Sequence, residues 1–129
     1  MTTLLSILFS ITMLHAGHHT ITYIDGSNNS YSLDHSKLSY DPVTKEESSS
    51  GEYSGGEAKT VSLIDEEEIQ LMHLFDKVLE DTENHIEKRT MGCGTIVEKN
   101  HDKKTTTYIA MKAESKQKLE SYLKELIAK

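Results

Sequence analysis

The sequence predicts a small α+β domain, an antiparallel sheet with two amphipathic helices packed on one face, in the order β-β-α-β-β-α. Three observations predict it. Short runs of β-branched and aromatic residues flank turn residues between Thr20 and Tyr40, and again between Thr95 and Met111. A stretch with apolar residues at helical spacing follows each of these regions, from Asp65 and from about Ala113. The chain of 129 residues has the length of one domain, and folded chains of that size bury roughly two-thirds of their unfolded surface without needing a metal or disulfide.

The first sixteen residues read separately. Leu4 to Leu14 is apolar and free of charge and proline, which is the length of a signal-peptide core and short of the ~20 residues that span a bilayer. Residues 1–16 are therefore expected to be a signal segment cut after Ala16, leaving 17–129 as a single secreted or periplasmic domain with no stable membrane span. The competing reading keeps this run in the core.

Thr20–Ile24 alternates and then meets Asp25-Gly26-Ser27-Asn28-Asn29, which is turn chemistry; Tyr31–Leu33 and Leu38–Tyr40 supply return strands. Asn28-Asn29-Ser30 also matches the glycosylation acceptor pattern. Residues 44–59 are rich in Ser, Gly and Glu and read as a flexible loop. Gly51, Gly55 and Gly56 lack the Gly-Lys-Ser/Thr pattern of a phosphate loop, and Glu52 and Glu57 repel phosphate. Long loops carry function and Tyr53 is amphipathic, so these four residues are the candidate ligand contacts.

Asp65 is placed as a helix N-cap with Glu68 returning a bond to it, and Ile64 staples to Ile69. Ile69, Met72, Phe75, Leu79 and Ile86, supported by Leu71, Leu74 and Val78, then form a broad stripe that ends with Lys88, Arg89 and the terminator Gly92. Thr95–Lys99 and Thr105–Met111 read as a hairpin, and the last helix presents Leu119, Tyr122, Leu123, Leu126 and Ile127 on one face.

The formal net charge of −7 argues against nucleic acid as a partner, and the late lysines are interleaved with glutamates. Cys93, the single cysteine, is the one strong nucleophile by type, and Gly92 and Gly94 leave room beside it. It follows a predicted helix C-terminus, where the dipole disfavours a thiolate, and no base is paired with it by spacing. Seven histidines invite a metal reading. A chain beginning Gly17-His18-His19 offers an amine, two backbone nitrogens and an imidazole, a square-planar set suited to copper or nickel. His73 and His85 lie too far apart on one predicted helix to share an ion. The carboxylates of Asp65–Glu68, Glu80, Asp81 and Glu83 are accounted for by capping and by a solvated face.

The leading functional reading is a small exported binding or interaction module without catalysis or cofactor. Its sheet surface or Ser/Gly-rich loop meets a protein or other extracellular ligand. The alternatives are a small enzyme using Cys93 with a histidine brought in by folding, and a copper or nickel binder at Gly17, His18 and His19.

Overall fold

Each β-rich run becomes a strand, and pairing between the runs assembles all of them into one sheet. The computed structural model describes residues 19–44, 46 and 54–129. In chain order the elements are β1 (His19–Ile24), β2 (Ser30–Asp34), β3 (Lys37–Asp41), β4 (Lys59–Ser62), α1 (Asp65–Glu80), β5 (His85–Ile86), β6 (Gly94–Asn100), β7 (Lys103–Ile109) and α2 (Glu114–Ile127). The strands form a seven-stranded antiparallel sheet in the order β4-β3-β2-β1-β6-β7-β5. The class is α+β as expected, but the sheet of seven strands is larger than the four or five that the predicted order supplies with its first region read as a hairpin or small meander. β4 and β5 are strands that sequence pattern did not separate from their surroundings.

Local chemistry sets the turns. Asp25 Oδ1 accepts from the backbone N–H groups of Ser27 and Asn29, closing the connection from β1 to β2. The β2–β3 and β6–β7 hairpins turn through two residues each, His35-Ser36 and His101-Asp102. The first residue of each pair has positive φ, 57° at His35 and 55° at His101. That conformation suits hairpin twist but is strained for a side chain with a Cβ.

Register then sorts the sheet into two faces, because residues directly opposite on paired strands share a side. Ile21, Leu33, Leu38 and Val61 form one cross-strand row, and Tyr40, Tyr31, Tyr23 and Ile96 form the next. Both rows face the core, which also contains Leu71, Phe75 and Val78 of α1 and Leu119, Leu123 and Leu126 of α2. Tyr23, Phe75, Leu38 and Leu119 have no exposed surface. Fully burying one such side chain contributes about 1.5–3 kcal/mol relative to leaving it in water.

Three features of the first helix differ from expectation. The cap lies one residue earlier: Ile64 occupies the N-cap position, and its backbone N–H donates to Glu67 Oε1 at 3.0 Å. Ile69 is 69% exposed and so does not belong to the buried stripe, which is Leu71, Phe75 and Val78. The helix stops at Glu80 rather than running to Arg89, because Asp81 leaves helical geometry at φ −81° and ψ 62°. Asp81 then accepts hydrogen bonds from Asn84 Nδ2 and Ser115 Oγ, anchoring a short 3-10 turn at Thr82–Asn84. Ile86, placed in the stripe by its spacing, is a strand residue opposite Tyr108. These side-chain bonds, one of them from distant Ser115, hold the chain out of helix at Asp81–Asn84 against the apolar periodicity.

The loop predicted at 44–59 is bounded by β3 and β4, with Lys59 already in the latter. Its far end is fixed to the sheet. Gly55 N–H donates to the Val43 carbonyl, Tyr40 donates to the Gly55 carbonyl at 2.6 Å, and a Cβ on Gly55 would collide with Asn29.

Candidate functional site

The face of the sheet turned away from the core carries the most distinctive surface. Thr22 stands opposite Ser32, Ser32 opposite Ser39, and Ser39 opposite Thr60. Thr22 also stands opposite Val97, which is opposite Thr106. The result is one cross-strand row of hydroxyls interrupted by a valine. Thr22 and Ser32 are 3.0 Å apart through their hydroxyl oxygens, and Thr60 donates to Ser39 at 3.4 Å. Strand spacing of about 4.8 Å makes such a row a regular ladder of donors and acceptors.

The next row is basic. Lys104 lies opposite Lys99, Lys99 opposite Thr20, Thr20 opposite Asp34, and Asp34 opposite Lys37. The three lysines are exposed and none makes an ion pair among the described residues. Lys99 and Lys104 set like charges directly across from each other, an arrangement that works against sheet stability. On a chain of net charge −7, this is a concentrated exception.

The core-facing side holds a buried polar cluster. Lys116 is 5% exposed, and its Nζ lies 3.3 Å from Glu120 Oε2 and 3.3 Å from the Met111 carbonyl. Tyr23 Oη donates to the same Glu120 oxygen at 2.5 Å. Burial, and then the Glu120 carboxylate, push the Tyr23 hydroxyl far above its ordinary range. Lys116, Glu120 and Tyr23 satisfy one another, and no buried side-chain polar atom among the described residues lacks a partner. This is an internal tie between β1 and α2.

Between the helices runs a groove of two adjoining cavities, about 740 Å³ and about 500 Å³, that share Gln70, Leu74, Glu114 and Lys118. Its lining mixes both charge signs. Hydrogen bonds from Ser115 and Asn84 hold the Asp81 carboxyl below its ordinary range, while burial and then Glu125 raise the Tyr122 hydroxyl.

The residues picked out by sequence fall as follows. Cys93 is 3% exposed and sits between β5 and β6 rather than at a helix end, so burial, not a helix dipole, is its defining environment. It touches a cavity of about 440 Å³ whose lining includes Arg89 and Asn28, and these two side chains hydrogen-bond each other. Among the described residues no hydrogen bond joins Cys93 to a histidine. His85 binds the Val78 carbonyl at 2.9 Å, His73 is exposed on α1, and His35 and His101 occupy hairpin turns. Gly17, His18, Gly51 and Tyr53 lie outside the described residues, as does the whole segment 1–16. His19 begins β1 and lies 3.7 Å from Glu98. Gly55 is built into the sheet edge as described above, whereas Gly56, at φ +100°, has open space beside it.

Among the described residues no group of three or more His, Cys, Asp or Glu side chains is placed to hold a metal ion, and no helix is long and apolar enough to cross a membrane. Sequence reading missed the lysine row because its members come from three separate strands. The alternation Thr20-Ile21-Thr22-Tyr23 was the available signal that one face of β1 is polar. No protein-family model matches the chain, and no curated protein or solved structure matches it.

Proposed function

We propose that this chain is a small exported binding module without catalysis, whose ligand lies on the sheet face opposite the core. The observation that carries the reading is the pairing of the hydroxyl row with Lys37, Lys99 and Lys104, which have no ion-pair partner among the described residues. Buried residues of both helices pack in the core cluster, while on the other face Lys37, Lys99, Lys104, Thr60 and Thr106 are exposed and Thr95 is buried. Aligned hydroxyls offer both donors and acceptors, and a row with three lysines to one aspartate lowers the free energy of an anionic or strongly polar surface laid across it. A catalytic role for Cys93 has less support, because Cys93 is buried and no hydrogen bond joins it to a histidine among the described residues.

The test is lysine-acetylation footprinting of the full chain in the extracellular fluid of its producing cells, compared with the purified chain in buffer. Protection of Lys37, Lys99 and Lys104 supports the reading. Protection confined to Lys77 and Lys118, which line the interhelical groove, overturns it. Intact mass of the same extracellular sample tests export, with a chain beginning near Gly17 as the expected species.

A further inference from the structure

The sheet is unfinished along the outer edge of β7. β5 pairs only with its end, His85 with Ile109 and Ile86 with Tyr108. Lys103–Thr107 therefore has β6 on one side and no strand on the other among the described residues.

One hydrogen bond identifies which backbone groups point outward. Ala110 N–H donates to the Asn84 carbonyl, on the β5 side. Successive strand residues turn their N–H and C=O to alternate sides, so Tyr108, Thr106 and Lys104 share that side. Tyr108 meets β5 there, and the backbone groups of Lys104 and Thr106 meet no strand among the described residues. Their two N–H and two C=O groups form a ready template for one more strand.

The side chains specify what that strand carries. Lysine on an exposed edge opposes indiscriminate pairing. Here Lys104 also faces Lys99, on the side away from the core, so an added strand places its own residue third in a row that begins with two like charges. A carboxylate at that position relieves the repulsion, whereas a lysine worsens it. On the core-facing side Glu98 stands opposite Thr105 and Asn100 opposite Lys103, one charge of each sign, so the excess positive charge belongs to the Lys104 side. A second copy of this chain, paired antiparallel about Thr105, brings Thr106 opposite Lys104 and supplies no carboxylate.

We infer that β7 is a docking edge for an extended segment of a partner protein, added as an eighth strand with Asp or Glu beside Lys104. The inference goes beyond the open-face reading because it rests on unpaired backbone groups at the edge, and either surface can fail alone.

The experiment titrates the isotopically labelled full chain with short peptides of about seven residues that alternate valine or threonine with glutamate, glutamine or lysine. The glutamate peptide is expected to bind best and to slow amide exchange at Lys104 and Thr106. Thr106→Pro removes an N–H that donates nothing within the sheet, so the native spectrum is retained while affinity falls by about tenfold. Lys104→Glu leaves the edge intact and reverses the preference toward the lysine peptide. Unslowed exchange at both amides, equal binding of the three peptides, or a preference untouched by Lys104→Glu would overturn the inference. So would slowing that rises with protein concentration alone, which identifies a second copy as the occupant.

Discussion

The two faces of the sheet are built from the same strands and do opposite things. Toward the core, β1 presents Ile21 and Tyr23, both buried, and the cross-strand rows continue through Leu33, Leu38 and Tyr31. Away from the core it presents Thr20 and Thr22, and those rows continue through lysines and hydroxyls. The first face removes apolar area from water, which drives folding. The second removes little apolar area from water and, at Lys99 and Lys104, sets like charges together. At Lys99 and Lys104 this face costs stability without serving the core, and the proposed binding role rests on that contrast.

Core substitutions should produce the largest effects. Phe75→Ala leaves a cavity among fully buried residues and is expected to lower stability by about 3–5 kcal/mol, read from urea unfolding. Tyr23→Phe removes the hydroxyl that donates to Glu120 and should cost about 1.5–3 kcal/mol. The same variant carries a pH signature. The folded state holds the Tyr23 proton well above the ordinary value of 10.0, so an unfolded chain ionises first as pH rises. The stabilisation is fully present below pH 10.0 and declines at higher pH, and Tyr23→Phe should flatten that alkaline decline in thermal unfolding.

Smaller changes sharpen the contrast from the other side. His101→Gly relieves a positive-φ residue and should raise stability by up to about 1 kcal/mol, measured by the same urea titration. On the face away from the core, Thr22→Ser should shift stability by no more than about 0.5 kcal/mol, because its side chain is not part of the packed core.

Much of the fold was readable because its signals are local. β1, β2, β3 and the β6–β7 hairpin follow from alternation and turn residues, and α2 follows from Leu119, Leu123 and Leu126 at helical spacing. The end of α1 was not readable. Ile86 continues the apolar period, yet Asp81 is held by Asn84 and by Ser115, which belongs to α2 and is distant in sequence. The same limit applied to the candidate site. Lys37, Lys99 and Lys104 become members of one row only through the register of five strands, and no pattern within any single segment announces that. Cys93 attracted notice by residue type, but burial rather than its glycine neighbours sets its environment.

The most direct test of the division between faces is the urea midpoint of the triple variant Lys37→Ser, Lys99→Ser, Lys104→Ser against the unaltered chain. If the row stands apart from the fold, stability stays within about 0.5 kcal/mol or rises as the Lys99–Lys104 repulsion disappears. A loss of more than about 2 kcal/mol would make the lysines part of what holds the sheet together, and would contradict the assignment of that face to a ligand.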